Sequence, residues 1–177
     1  MQKNTSVIKS NINYLEEGID LLEQLTDTQF SGNKGKYFKS GVGKHIRHTI
    51  EHYTSFLDGY QSKINYDNRE RDPNLENDRA FAISTMRNIV GELDVFLRNP
   101  DLLEKEVEVQ SNEPVDEEGL PYSKSTIRRE LQYLISHTLH HYALVAVYLK
   151  TLGYEPKETF GVAPSTLKYE KGLFEAY

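Results

Sequence analysis

Four stretches of this 177-residue chain repeat apolar residues at intervals of three and four. That period matches one face of an α-helix, so the chain is pressed toward a bundle of packed helices. In the first stretch Ile8, Ile12, Leu15, Ile19 and Leu22 form one stripe, and the spacing predicts a helix over about residues 5–26. In the second, Ile46, Thr49, Ile50, Tyr53, Phe56, Leu57 and Tyr60 mark the buried face of a helix over about 41–60. The third carries Ile83, Met86, Val90, Leu93 and Leu97. It follows Asp72-Pro73, a plausible helix start, and stops before Asn99-Pro100. The fourth begins at Ser123 or Ser125 and runs to Leu152, with Gly153 as the stop.

The links between these helices are polar. Gln29 to Ser40 reads as a loop, and residues 61–74 are long enough to cross the bundle instead of joining antiparallel neighbours. Glu104 to Gln110 alternates like a short strand, and Pro114, Gly119 and Pro121 follow it. A β-hairpin or extended loop is therefore expected before the last helix. Ala143 to Leu149 is apolar all round, which suggests a central helix or a homodimer contact through the first or fourth helix. The tail from Gly153 onward carries Pro156, Gly161, Pro164 and Gly172 and is expected to pack irregularly along the bundle. No internal repeat or second unit is legible, so residues 1–177 read as a single all-α four-helix-bundle domain.

The chemistry lies in six histidines, which fall in two sets: His45, His48 and His52, then His137, His140 and His141. At about 100° per residue, His137 and His141 project about 40° apart from one face of one turn, and His48 and His52 repeat that geometry. On the second helix the histidines line one edge of the buried face, and Arg47 and Glu51 point further out. Neutral imidazole suits divalent first-row metals, and an open catalytic site often uses three protein ligands. By spacing alone the pair is His137 and His141, and the third ligand is His48 or His52. His45 and His140 suit hydrogen bonding around the site better than ligation. Glu130, two turns before His137, is a candidate general base or an arginine partner.

Other classes are excluded. The chain has no cysteine, hence no disulfide, thiolate ligand or Cys nucleophile. A net charge of -6 disfavours nucleic acid. Glu16, Glu17, Asp20 and Glu23 interrupt the N-terminal region, which is no secretory signal, and no run approaches the roughly 18 apolar residues of a membrane span. A cytoplasmic protein acting on a small molecule is expected.

Gly43-Lys44-His45-Ile46-Arg47-His48-Thr49-Ile50-Glu51-His52, with Arg129-Glu130-Leu131 leading into Ser136-His137-Thr138-Leu139-His140-His141, resembles the DinB-like metal-binding superfamily. The resemblance extends to the order of the four helices. It implies an up-down-down-up bundle, commonly dimeric, with zinc, nickel or a similar ion held by three histidines. The helix-two ligand falls on His48, after the Gly43-x4-His48 spacing, and the other two on His137 and His141. His52, where relatives often carry an acidic residue, and Glu130 become the candidate proton carriers. Activities in the superfamily include thiol transfer with low-molecular-weight thiols and metal-dependent hydrolysis. The alternative is a non-catalytic or stress-response module braced by its metal.

Overall fold

The computed structural model describes residues 5–32, 41–111, 121–170 and 172. The helices are α1 (Ser6–Gln24), α2 (Asp27–Ser31), α3 (Val42–Gly59), α4 (Asn74–Asn77), α5 (Arg79–Arg98), α6 (Ile127–Thr151) and α7 (Pro164–Glu170). The strands are β1 (Lys63–Asn65), β2 (Glu106–Gln110) and β3 (Ser123–Thr126).

The four long helices carry the fold. Asn11 of α1 bonds the carbonyl of Leu131, and Tyr142 of α6 donates to the carbonyl of Tyr14, so α1 and α6 run side by side in one direction. Arg79, at the start of α5, bonds the carbonyl of Leu22 near the end of α1, so those two run oppositely. Phe96 of α5 packs on Phe56 and on Tyr60 just beyond α3, end to end, so α3 and α5 are parallel. The result is an up-down-down-up bundle, and the crossover from α3 to α5 is the long connection that the sequence suggests.

Ile8, Leu15, Leu22, Ile46, Ile50, Met86, Leu93, Leu131, Leu134 and Val145 are all buried on the inner faces, as the stripes require. A polar node is threaded through this apolar interior. Tyr53 donates to Asn11 Oδ1 at 2.8 Å, Asn11 Nδ2 donates to the carbonyls of Val7 and Leu131 at 2.7 and 3.1 Å, and Thr138 donates to Tyr53 at 3.4 Å. Three helices are thereby tied together in one register, and each buried polar atom of the node has a partner.

The structure differs from the sequence reading at the element ends. Part of the expected loop after α1 is the short helix α2, closed by a reciprocal bond pair between Thr26 and Gln29. Residues 33–40 lie outside the described residues. The third helix is split: Asp78 is extended, caps Phe81, and separates α4 from α5. Ser123 and Ser125 belong to β3, and the last helix starts at Ile127 behind the cap Thr126. β2 and β3 form the expected antiparallel pair, with Glu106 opposite Thr126 and Val109 opposite Ser123. The link between them, with Pro114 and Gly119, falls on residues 112–120, outside the described residues. The crossover adds a strand that periodicity cannot reveal in three residues, since β1 pairs in parallel with β2.

Gly153 ends α6 as expected. Its φ is 77°, and Gly153 and Tyr154 return their N–H groups to Lys150 and Leu149. The tail packs beside the start of the apolar run, where a Cβ on Gly161 would sit 2.6 Å from the Ala143 nitrogen. The Phe160 ring stacks on Tyr142 with centres 4.6 Å apart, leaving Val147 as the large exposed residue of that stretch. Among the described residues no helix is long and apolar enough to cross a membrane.

Candidate metal centre

Helices α3 and α6 are adjacent and antiparallel, so ascending numbers on one meet descending numbers on the other. His45 faces His141, His48 lies between His141 and His137, and His52 meets His137 and Tyr133. All five of these histidines gather in one seam. His140, the sixth, is exposed and only edges the His141 ring, with centres 5.1 Å apart.

The rings of His48, His137 and His141 form a nearly equilateral triangle. Their centres are 4.9 Å apart for His48–His137, 4.7 Å for His48–His141 and 4.6 Å for His137–His141, and every pair is steeply tilted. An ion about 2.0–2.1 Å from three imidazole nitrogens would hold the ring centres roughly 4.5–5.2 Å apart. His137 Nε2 and His141 Nε2 are 3.2 Å apart. Two nitrogens on one ion, about 100° apart, span about that distance.

By nitrogen proximity alone a second set emerges: His48, His52 and His137 each bring one ring nitrogen within 4.8 Å of the others. Any of these histidines could in that sense hold an ion. Ring orientation separates the two sets. His52 lies flat against His137, with centres 3.8 Å apart and planes 28° apart. The in-plane lone pairs of stacked rings lie in two separated, nearly parallel planes, so both cannot aim squarely at one ion. The tilted triangle is therefore the better-shaped chelate.

Electrostatics keep the donors available. Burial, reinforced by neighbouring imidazoles and by Arg69, lowers His48 and His137 from the ordinary 6.5 to about 3. Burial and the neighbouring histidines take His141 to about 2. His52 falls to about 3, mainly through burial and the facing His137. All four rings are neutral at pH 7, the form that binds a metal. Among the described residues His137 Nδ1 is buried with no hydrogen-bond partner.

The remaining partners orient the rings. His52 donates Nδ1 to the carbonyl of His48 at 2.8 Å, so its Nε2 keeps a lone pair. On its other side His52 stacks on Tyr66, with centres 5.4 Å apart. Glu130, the other proposed proton carrier, is buried on α6, where it accepts from Ser125. Burial and the neighbouring Glu130 carboxylate push the Tyr66 phenol well above its ordinary value. Tyr66, the phenol that feels the Glu130 carboxylate, is the ring stacked on His52. Arg128 is engaged by Glu104 at 2.7 Å.

One outward placement is corrected. Glu51 is buried and Arg47 nearly so, because the crossover and α4 lie over that face of α3. Gly43 permits this: a Cβ there would sit 2.1 Å from the Glu76 carbonyl. Arg47 pairs with Glu51 at 3.3 Å and Glu76 at 2.8 Å. The crossover also supplies two residues that the sequence reading missed, Tyr66 and Arg69. Arg69 reaches Glu51 at 3.8 Å and donates to His48 Nδ1 at 3.3 Å. Neither belongs to a periodic segment, so no local signal marks them.

A sequence profile of the DinB family matches residues 1–171. The chain is also similar to a protein described as "FK506-binding protein 5" from Rhizopus delemar, 27% identical over 169 residues. That match takes in 93% of this chain and 38% of the relative, so the chain spans well under half of the relative's length.

Proposed function

The chain belongs to the DinB family, and on that premise we propose that it is a divalent-metal protein with ligands His48, His137 and His141. In this reading it serves as a metal-dependent transferase of the thiol type, or a hydrolase, acting on a small molecule in the cytoplasm. The observation that carries the reading is the triangle of tilted neutral imidazoles, 4.6–4.9 Å between centres. Imidazole donors without thiolate or clustered carboxylate suit zinc or nickel.

A bound ion of this kind supplies Lewis acidity that lowers the pKa of a coordinated water or thiol. The protein's own groups do the rest. Three histidine ligands would leave a coordination position open for a substrate atom. His52 keeps an unprotonated Nε2 beside the triangle, fixed by its bond to the His48 carbonyl, and can take up a proton there. Tyr66 and Tyr133 wall the seam on the far side of His52. Were His48 to hold an ion through Nε2, its ring proton would sit on Nδ1, the atom that Arg69, itself only a donor, now contacts.

A structural-metal module is the second reading, favoured by the closeness of His52 to His48 and His137. Four histidine ligands would close the site. Metal analysis of the purified protein tests both readings at once: about one ion per chain is expected from the triangle, and none would end both. Small-thiol binding to the loaded protein, seen as a change in the visible spectrum of the cobalt form, then favours the open site. A homodimer stays part of the proposal, resting on exposed Val147 and Leu152 of the α6 end. Sedimentation at micromolar concentration should give about twice 20.5 kDa, and a clean monomer would remove it.

A further inference from the structure

A short polar contact leads outward from the triangle between His141 and His45. Their Nδ1 atoms are 2.9 Å apart, with ring centres 5.2 Å apart and planes at 44°. A pair of facing imidazole nitrogens at this distance shares one proton. Two arrangements are possible. If His45 Nδ1 carries the proton, His141 Nδ1 accepts, and the neutral His141 ring holds its own proton on Nε2, where it blocks an ion. If His141 Nδ1 carries the proton, His45 accepts, and His141 Nε2 presents a lone pair toward His137 Nε2 at 3.2 Å. Only the second arrangement is compatible with a ligand His141.

We propose that His45 is a positioning residue of the metal centre: its Nδ1 accepts the Nδ1–H of His141, fixing the tautomer and the ring orientation with which His141 Nε2 meets the ion. This rests on the assignment of His141 as a ligand. Backbone placement supports the role. His45 sits in the first turn of α3, directly across from His141, and its carbonyl accepts from Thr49, one turn on. The His45 ring is half-buried, so the shared proton is partly shielded from competing water. A histidine is an unusual acceptor here, because carboxylates and carbonyls more commonly orient metal-bound imidazoles. Being neutral, it leaves the charge of the site unchanged.

The test uses the whole chain, zinc, and competition with a chromophoric chelator. His45→Leu keeps bulk and removes the acceptor; His45→Asn keeps an acceptor near the position of Nδ1. Loss of such an orienting partner typically weakens metal binding about 10–100-fold. H45L should fall by that factor with stoichiometry held at about one ion per chain, and H45N should recover most of the loss. Equal affinity of H45L and wild type overturns the proposal. So does H45N as weak as H45L, which would assign the effect to packing. A drop from two bound ions to one in H45L would make His45 a ligand of a second ion and overturn it as well. Should either variant fail to fold, 15N NMR of the zinc-loaded wild type decides: His141 protonated at Nδ1 supports the role, and protonated at Nε2 refutes it. His141→Ala tests the underlying ligand assignment separately, since full metal occupancy there would sink that assignment whatever His45 does.

Discussion

Two polar clusters sit back to back on the same pair of helices, α3 and α6. Tyr53 and Thr138 turn inward to Asn11, and their immediate neighbours His52 and His137 turn into the seam. The inner cluster is satisfied: Asn11 bonds two carbonyls and a phenol, and every partner is buried. The outer cluster is not. Among the described residues His137 Nδ1 has no partner, and His141 faces His45 through Nδ1 and His137 through Nε2. A closed polar network adds stability and register to the bundle, whereas an open one is poised to bind something else.

The comparison predicts opposite phenotypes. The largest effect belongs to the triangle. His141→Ala and His48→Ala should each remove most of the metal, a loss of 100-fold or more in affinity, because the chelate opens. Chelator titration reads this, and full occupancy in either variant breaks the division of labour. On the inner side, Asn11→Ala should cost about 1–3 kcal/mol by stripping buried partners. Urea unfolding of the metal-free protein measures that cost. The variant should still bind about one ion per chain, as the untouched triangle dictates; metal loss equal to that of the histidine variants would mean that the clusters are one unit.

Acid sharpens the contrast. His48, His52 and His137 stay neutral down to about 3 in the folded chain, and His141 to about 2. In the unfolded chain they titrate near an ordinary value of about 6.5. Below that value the unfolded state binds protons that the folded state refuses. Stability conferred on the metal-free protein therefore declines as pH falls from about 6.5 toward 3, and is flat above it. Thermal unfolding at pH 7, 6 and 5 should show a progressive fall in midpoint. Asn11→Ala should keep the same slope, and His137→Asn should flatten it; an unchanged slope in the histidine variant would show that these rings are not the titrating groups. The smallest effect is expected for His52→Ala. With its ring stacked on His137 instead of converging with it, removal should shift metal affinity less than about tenfold. Loss equal to that in His48→Ala would mean a four-histidine site and would favour the structural module.

How much of this was legible beforehand follows from the range of each interaction. The four stripes, the glycine at the end of α6, the strand after the third helix and the pairing of His137 with His141 are local, repeating every few residues, and one chain suffices to read them. The choice of a third ligand was not local: on the helical wheel His48 and His52 share an edge, and the resemblance, not the spacing, selected His48. The two rings differ in how they tilt against His137, and tilt is set by what packs on each ring. For His52 that is Tyr66, brought in by a three-residue strand too short to carry a period. Burial of Glu51 and the arrival of Arg69 have the same origin, since the crossover lands on the far face of α3 only once β1 pairs with β2. Sequence alone determined that two helices would carry imidazoles on one edge each. Tertiary structure decided which imidazoles meet, in what orientation, and with which protons, because those depend on contacts between residues about ninety positions apart, which no local pattern encodes.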